Sequence, residues 1–135
     1  MRVVLDSNIV VSAIVFGGKP EEVVDLARTR KIRAVYSEPM LSEVLRILEV
    51  KFGFSKSRLQ TVNKLFSKRM IFVKPEQALH VLADDPDNRI LEAAVAGNCD
   101  YIVTGDNPLL ALGKYKNIEI LSVNEFLKLY STKEK

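Results

Sequence analysis

The sequence predicts an α/β fold, a three-layer α/β/α sandwich with a central, mainly parallel sheet. Short apolar runs rich in β-branched residues recur along the chain, and segments with helical periodicity separate them. Strands joined through helices run parallel with right-handed crossovers, so this alternation favours one sheet between two helical layers. At 135 residues, 47% of them hydrophobic, the chain suits one domain, which we assign to residues 1–130. We expect residues 131–135 to form a frayed tail.

Five apolar segments are the predicted strands. Two of them, Val3 to Leu5 and Tyr101 to Val103, show no polar alternation, which is typical of strands buried on both faces. The other three are Arg33 to Tyr36, Ile71 to Val73 and Ile118 to Leu121.

Amphipathic segments between the strands are the predicted helices. The first begins at Asn8, and the Gly17-Gly18 pair separates it from a second that starts at Pro20. Ser37 is a suitable N-cap for the third, which Gly53 ends. The others are Ser55 to Met70, Asn88 to Ala96 with Gly97 as a left-handed cap, and Val123 to Tyr130 after the N-cap Ser122.

Two aspartates stand beyond the ends of the two fully apolar runs. Asp6 directly follows Val3 to Leu5, and Asp106 comes shortly after Tyr101 to Val103. The carboxyl ends of parallel strands lie along one edge of a sheet, where open α/β folds place their ligand crevice, so we expect Asp6 and Asp106 to meet. The alternative for each is an N-cap, a position that aspartate favours. Capping alone does not require that both acids follow strands.

A glutamate within the third helix is another candidate. The predicted apolar stripe of that helix is Leu41, Val44, Leu45 and Leu48. Glu43 lies away from this stripe, yet its neighbours one turn either side are Met40 and Ile47, so we expect its carboxylate to point into a pocket. The alternative is a surface glutamate paired with Arg46 or Lys51.

The fourth candidate acid precedes the fifth predicted helix. Asp87 stands three and four residues before Ile90 and Leu91, so we expect it to project toward the sheet, with capping again as the alternative. Asp84 and Asp85 lack this register and are expected to be turn residues, with Asp84 able to bind a metal-bound water. Two polar residues of the same helix are expected to face solvent, Asn88 and Arg89.

Four carboxylates in one pocket would repel one another. Two unit charges about 4 Å apart repel by about 4 kcal/mol at an effective dielectric constant near 20. Protonation or a divalent cation relieves this repulsion. Because the candidate ligands are oxygen atoms, the sequence favours Mg²⁺ or Mn²⁺, with Asn8 and Thr104 placed to orient bound water.

Composition limits the other classes of function. Cys99 is the only cysteine and His80 the only histidine, which excludes a disulfide framework or a zinc cluster within one chain. Outside the four candidate acids, basic residues exceed acidic ones by seven, and such a surface attracts nucleic acid. The alternative is that a basic surface only aids solubility. No apolar run reaches the roughly 18 residues of a membrane span, so we expect a cytoplasmic protein without membrane contact.

These segments resemble a known family. The opening VVLDSNIVVSA, the stretch SEPMLSEVL, the segment DDPDNRILEAAVAG and YIVTGDNPLL are similar to PIN-domain ribonucleases of the VapC-like toxin type, over nearly the whole chain. The resemblance implies a PIN-like sandwich and metal-dependent cleavage of single-stranded RNA by the toxin of a type II toxin–antitoxin pair. It also implies a set of catalytic and metal-binding acids, Asp6, Glu43, Asp87 and Asp106, with Asn8 and Thr104 as accompanying polar positions.

The same resemblance implies partners and a metal count. The expected partners are single-stranded RNA, a cognate antitoxin protein and a second copy of the chain in a homodimer. Many relatives carry a second acid two residues after the aspartate of the TGD motif, where this chain has Pro108. We therefore expect one firmly bound ion.

Two other functions are open at this point. One is a non-catalytic RNA-binding or assembly module on the same fold, which need not bind Mn²⁺. The other is a phosphoryl-transfer domain of the response-regulator type, which also gathers aspartates at strand ends. Such domains need a lysine at a strand end, and Lys74 is a weak match for it.

Overall fold

The structure, a computed structural model, describes residues 1–133. In chain order its elements are β1 (Arg2–Leu5), α1 (Ser7–Phe16), α2 (Gly18–Arg28), β2 (Arg33–Tyr36), α3 (Glu38–Phe52), α4 (Lys56–Arg69), β3 (Ile71–Phe72), α5 (Asp85–Ala96), β4 (Tyr101–Val103), α6 (Asn107–Leu112), β5 (Lys114–Tyr115), β6 (Ile118–Leu121) and α7 (Val123–Lys133).

The strands form one sheet in the order β3-β2-β1-β4-β6-β5. All neighbouring strands run parallel except β5, which pairs antiparallel with β6. In the middle of the sheet Val3 pairs with Ala34 on one side and with Tyr101 on the other. The outermost strands, β3 and β5, are two residues long. The five parallel strands all end on the same side, which we call the carboxyl edge.

Helices cover both faces of this sheet. The helices α1 to α4 pack against one another, and α7 joins them through α2. The chain moves outward from β1 through β2 to β3 and then returns across the sheet to β4. Because parallel crossovers are right-handed, this reversal places α5 on the opposite face, against β1, β2 and β4. The structure thus confirms the predicted three-layer α/β/α sandwich with a mainly parallel sheet.

The core lies between these layers. Val3 and Val4 of β1 and Ile102 and Val103 of β4 are completely buried. Helices on both faces leave no solvent-exposed side for these strands, which explains why their sequences lack polar alternation.

The observed elements confirm some predicted boundaries and correct others. The bounds of β2, β4 and β6 are those predicted. Of the predicted stripe of α3, Val44 and Leu48 are buried, and Leu41 and Leu45 are partly buried and pack against the core. The buried residues of α3 are Met40, Val44, Ile47 and Leu48. Their spacing of four, three and one follows the helical repeat, so the inward face includes the two neighbours of Glu43.

Gly97 ends α5 for a different reason than predicted. Its φ is −88°, which is not left-handed, and the following Asn98 instead has a φ of 50°. A Cβ at position 97 would lie 2.7 Å from the Val35 Cγ1 atom. Glycine is therefore required by the close approach of the helix end to β2.

The chain end differs modestly from prediction. Ser122 is an N-cap as predicted, since its Oγ accepts the Glu125 N–H at 3.1 Å and the Glu125 Oε1 accepts the Ser122 N–H at 2.9 Å. The helix α7 then continues three residues beyond the predicted end at Tyr130. The rest of the predicted frayed tail, residues 134 and 135, lies outside the described residues. None of the helices in residues 1–133 has both the length and the apolar character needed to cross a bilayer.

Candidate active site

Asp6 lies at the carboxyl edge, between β1 and α1. Its Oδ1 accepts the Asn8 N–H at 3.4 Å, so Asp6 caps α1, as the alternative interpretation predicted. Its Oδ2 accepts a hydrogen bond from the Thr104 Oγ1 at 2.6 Å. The residue is only 7% exposed. Capping therefore occupies one oxygen of this carboxylate, and a buried hydroxyl from another strand end occupies the other.

Thr104 connects the ends of β1 and β4. The residue is completely buried, and its Oγ1 also accepts the backbone N–H of Asp106 at 2.9 Å. The Asp106 Oδ2 in turn accepts the Leu109 N–H at 3.3 Å and caps α6. A single hydroxyl thus holds Asp6 and Asp106 together, as the strand-end argument predicted.

Asp87, in the first turn of α5, is a buried acid, and its Oδ2 has no hydrogen-bond partner within residues 1–133. Burial raises its pKa to about 7, together with hydrogen bonding to the Asp106 carboxyl and the charges of Asp106, Asp6 and Asp84. Burial also raises the pKa of Asp6, although the hydrogen bond from Thr104 opposes this. Asp6, Asp87 and Asp106 therefore form one electrostatic unit.

Glu43 stands apart from this unit. Its Oε1 lies 3.9 Å from an Arg46 guanidinium nitrogen, and 32% of its side chain is accessible. No hydrogen bond within the described residues joins Glu43 to Asp6, Asp87 or Asp106. The structure places Glu43 beside the buried stripe of α3, and its catalytic role stays a prediction.

The start of α1 supplies polar groups of two kinds. The Asn8 side chain is exposed, and its contact with Asp6 is made by its backbone N–H. The Ser7 side chain is buried, and its Oγ donates a hydrogen bond to the Met40 carbonyl at 3.5 Å. Ser7 thereby connects the start of α1 to the start of α3.

Asn88 is a structural residue that the sequence argument missed. It is 1% exposed, so the expectation that it faces solvent was wrong. Its Oδ1 accepts the N–H groups of Val81 and Leu82 at 3.1 and 2.9 Å, and its Nδ2 donates to the Leu82 carbonyl at 2.8 Å. Asn88 therefore holds the loop before α5 against the helix turn that carries Asp87.

Glu92, one turn further along α5, also anchors the loop that precedes this helix. The buried Glu92 carboxylate accepts the Leu79 N–H at 2.7 Å and binds the Arg89 guanidinium through two hydrogen bonds of 2.8 and 2.7 Å. Arg89 is accordingly half-buried rather than solvent-facing. The spacing of three residues between Arg89 and Glu92 is a helical pairing signal that could have identified this contact.

The donor set suits a hard divalent cation. Its atoms are carboxylate oxygens, the ligands that Mg²⁺ and Mn²⁺ prefer, and one buried Asp87 oxygen lacks a partner among the described residues. Within residues 1–133, no three acidic, histidine or cysteine side chains already converge as metal ligands. The carboxylates would need to rotate toward one another, and burial, together with the neighbouring acids Asp106, Asp6 and Asp84, opposes the ionised form of Asp87 that a cation needs.

Carboxylates gathered at the carboxyl edge of a parallel sheet define a class of α/β protein with an acidic site at that edge. A family model described as the PIN domain matches residues 2–108. Because this match covers most of the chain, the protein belongs to the PIN-domain family. PIN domains are generally nucleases, and those nucleases generally depend on divalent metals.

A solved structure shares the fold. The chain is similar to a chain in the crystal structure of VapBC2 from Rickettsia felis bound to a DNA fragment from their promoter, with a TM-score of 0.64 and 18% sequence identity. The similarity covers 90% of this chain and 98% of that chain. Comparison with curated proteins gives no match.

Proposed function

We propose that the protein is a Mg²⁺- or Mn²⁺-dependent endoribonuclease that cleaves single-stranded RNA and serves as the toxin of a toxin–antitoxin pair. One observation supports it above all: Asp6, Asp87 and Asp106, from three separate elements, form one electrostatic unit in a PIN-domain chain.

The residues that would hold the cation are Asp6, Asp87 and Asp106, with Glu43 as a further ligand or as the anchor of the attacking water. When bound, such an ion lowers the pKa of a coordinated water and polarises the scissile phosphate. Thr104 holds the Asp6 carboxylate in place through its hydrogen bond. In the metal-free protein burial raises the pKa of Asp87 to about 7, and a bound cation would favour its ionised form.

The mechanism predicts the chemistry of the products. Attack by water leaves a 5′-phosphate and a 3′-hydroxyl, whereas attack by the ribose 2′-hydroxyl leaves a cyclic phosphate. The second route usually relies on histidine, and His80 is the only histidine of the chain. We therefore expect 5′-phosphate products.

Surface charge and the structural neighbour support the proposed partners. Exposed cations on α4, which include Lys56, Lys64 and Lys68, suit contact with RNA phosphates. The similar fold of a chain in VapBC2 supports a cognate antitoxin. Exposed Phe16 and Val50, 75% and 69% accessible, supply apolar surface for a homodimer. We place this pair in the cytoplasm.

Cleavage of a 5′-labelled single-stranded RNA tests the proposal. Wild-type protein should cut in Mg²⁺ or Mn²⁺ and not in a chelator, and Asp6→Asn should lower the rate at least about 100-fold. Asp85→Asn removes an exposed carboxylate close to the site and should cut normally. The nuclease proposal is refuted if Asp6→Asn cleaves the RNA as fast as the wild type, or if the wild type cleaves it in neither metal.

A non-catalytic RNA-binding module is the second candidate. The observation in its favour is that no three ligand side chains converge within the described part of the chain. Calorimetric titration with Mn²⁺ distinguishes the two, because a nuclease must bind the ion and a binding module need not.

A further inference from the structure

A small cavity lies at the carboxyl edge beside β3, at the side of the sheet. Its volume is about 290 Å³, just below the range of about 300–1,000 Å³ that is usual for ligand pockets. The residues that matter here are Ser37 at the end of β2, Phe72 in β3 and Lys74 just beyond it. Two spacings between neighbouring strands, about 10 Å, separate β3 from β1 and Asp6.

Phe72 forms an aromatic wall of this cavity. It is 45% exposed, although it occupies a strand. The Tyr36 ring meets it edge-on, with centroids 5.5 Å apart, and Tyr36 is itself fixed edge-on against Phe66 at 5.1 Å. These two contacts fix the orientation of Phe72 while much of its ring surface stays accessible. An aromatic ring that is held in a fixed orientation and exposed at a sheet edge offers a surface on which a nucleobase can stack.

Ser37 supplies an unused hydrogen-bonding group. It occupies the N-cap position of α3, yet its side chain makes no capping bond. Ser37 is 1% exposed, and its Oγ has no partner within residues 1–133. A buried hydroxyl is costly to leave unpaired, but this Oγ has almost no accessible surface, so it would pair with a ligand in the cavity only after rotation of the Ser37 side chain.

Charge and wall chemistry narrow the class of ligand. Lys74 is exposed and makes no ion pair within the described chain, which suits a phosphate. Pro39, Val73 and Pro75 give the cavity apolar walls. The lining also includes two carboxylates, but Glu92 is paired with Arg89 and Glu38 accepts a hydrogen bond from Ser42. A flat aromatic ligand joined to a phosphate fits the two remaining groups, Phe72 and Lys74.

We infer that this cavity binds one nucleobase of a single-stranded RNA, stacked on Phe72, with Lys74 on the adjoining phosphate. The inference rests on the proposed function, since the base belongs to the RNA strand that Asp6, Asp87 and Asp106 would cut. The cavity lies on the same edge of the sheet as these acids, so it would hold a base near the cleaved bond and influence which sequences are cut.

Binding of a labelled single-stranded RNA in a chelator, measured by fluorescence anisotropy, tests the pocket without cleavage. Phe72→Ala should weaken binding about tenfold, the expected effect of losing one base stack. Phe72→Tyr should retain affinity, and Phe72→Leu should behave like alanine because leucine has no aromatic face. The matched control is Tyr115→Ala, which removes a half-buried aromatic ring from β5, at the opposite side of the sheet and about 24 Å, or five strand spacings, from β3.

A set of RNAs with a single abasic site sharpens the test. At one position the abasic site should abolish the difference between wild type and Phe72→Ala, because the stacked base is absent. Three results overturn the inference: undiminished RNA affinity of Phe72→Ala, wild-type affinity of Phe72→Leu, or an equal loss of affinity in Tyr115→Ala. A further result would also overturn it. If Phe72→Ala changes the molecular mass of the protein in solution but leaves its RNA affinity unchanged, Phe72 is a protein–protein contact.

The outcome is separable from that of the nuclease proposal. If the wild type binds RNA through Phe72 but never cleaves it, the base pocket stands and the nuclease fails. If the wild type cleaves RNA and Phe72→Ala binds it normally, the nuclease stands and the pocket fails.

Discussion

The Thr104 Oγ1 and the Asp6 Oδ2 are 2.6 Å apart, and this hydrogen bond joins residues that are 98 positions apart in sequence. The same hydroxyl accepts the Asp106 N–H, so it donates to one acid and accepts from the other. The relative position of the two acids therefore depends on a single buried side chain.

Thr104→Val should reveal this dependence. Valine has a similar shape but leaves the Asp6 Oδ2 and the Asp106 N–H without their partner, which we expect to destabilise the fold by about 1–3 kcal/mol. Urea unfolding measures this change. Thr104→Ser keeps the hydroxyl and should lose less stability than Thr104→Val. The control is Thr61→Val, since the exposed Thr61 hydroxyl bonds only to its own helix. Equal stability of the Thr104 and Thr61 variants would contradict the connecting role.

Asp87 should make stability depend on pH. Its folded pKa of about 7 is above the ordinary value of 3.8, so between these values the folded state holds more protons than the unfolded state. The stability associated with this group is complete below about pH 4 and is lost as pH rises through 7. Asp87→Asn should therefore stabilise the metal-free protein at pH 8 by about 1–3 kcal/mol, and by much less at pH 4.

Thermal unfolding at both pH values measures this effect. Asp85→Asn is the control, because Asp85 is exposed on the same helix turn. A stabilisation by Asp87→Asn that is the same at pH 4 and pH 8 would show that the ionisation of the buried Asp87 carboxyl is not its cause.

Divalent cations should stabilise the folded chain. A ligand that binds only the folded state at 100 times its dissociation constant adds about 2.7 kcal/mol. We expect Mn²⁺ to raise the melting temperature at pH 8, and to do so less at pH 5, where Asp87 is protonated. This rise in melting temperature should vanish in Asp87→Asn, which loses a ligand, and persist in Asp85→Asn. A rise of equal size in both variants would place the ion elsewhere.

Asn88 should control the loop before α5. Asn88→Ala leaves the N–H groups of Val81 and Leu82 and the Leu82 carbonyl without partners, so we expect a loss of about 2–3 kcal/mol. Hydrogen exchange at Val81 and Leu82 should become faster than in the wild type. Asn63→Ala, at an exposed position of α4, is the matched control. Unchanged exchange at both amides would argue against this anchoring role.

Glu43 is the acid whose role most needs a direct test. If it acts on the attacking water, Glu43→Gln should lower RNA cleavage at least about 100-fold and leave unfolding unchanged. Arg46→Ala removes its ion-pair partner and should leave cleavage near the wild-type rate. A similar loss of cleavage in both variants would mean that cleavage requires the Glu43–Arg46 ion pair and would argue against a direct role of Glu43 on the attacking water.

The sequence could predict the sheet because its strands are buried on both faces. This holds for Val3 to Leu5 of β1 and for β4, which are continuous apolar runs, whereas the exposed Glu119 interrupts β6. The bounds of β2, β4 and β6 are those predicted. It could also place Asp6 and Asp106 together, since the carboxyl ends of parallel strands share an edge. β5 and α6 were not predicted, because two and six residues are too few to show a period.

The loop anchors could not be found in the same way. Asn88 and Glu92 are polar residues on a helix, and most such residues face solvent. Their burial depends on where the loop from residue 73 to 84 lies, and that loop has no periodic pattern. The need for glycine at position 97 could not be predicted either. It comes from the close approach of the Val35 side chain in β2, which is far away in sequence.

The shortness of the outermost strands limits how another polypeptide can bind this chain. Two residues at each side of the sheet offer too few backbone groups to template an added strand. β-augmentation, which gains affinity from main-chain pairing regardless of sequence, is therefore disfavoured at both ends. A protein partner must instead recognise side chains on the helical layers, so its selectivity should be sensitive to single substitutions there.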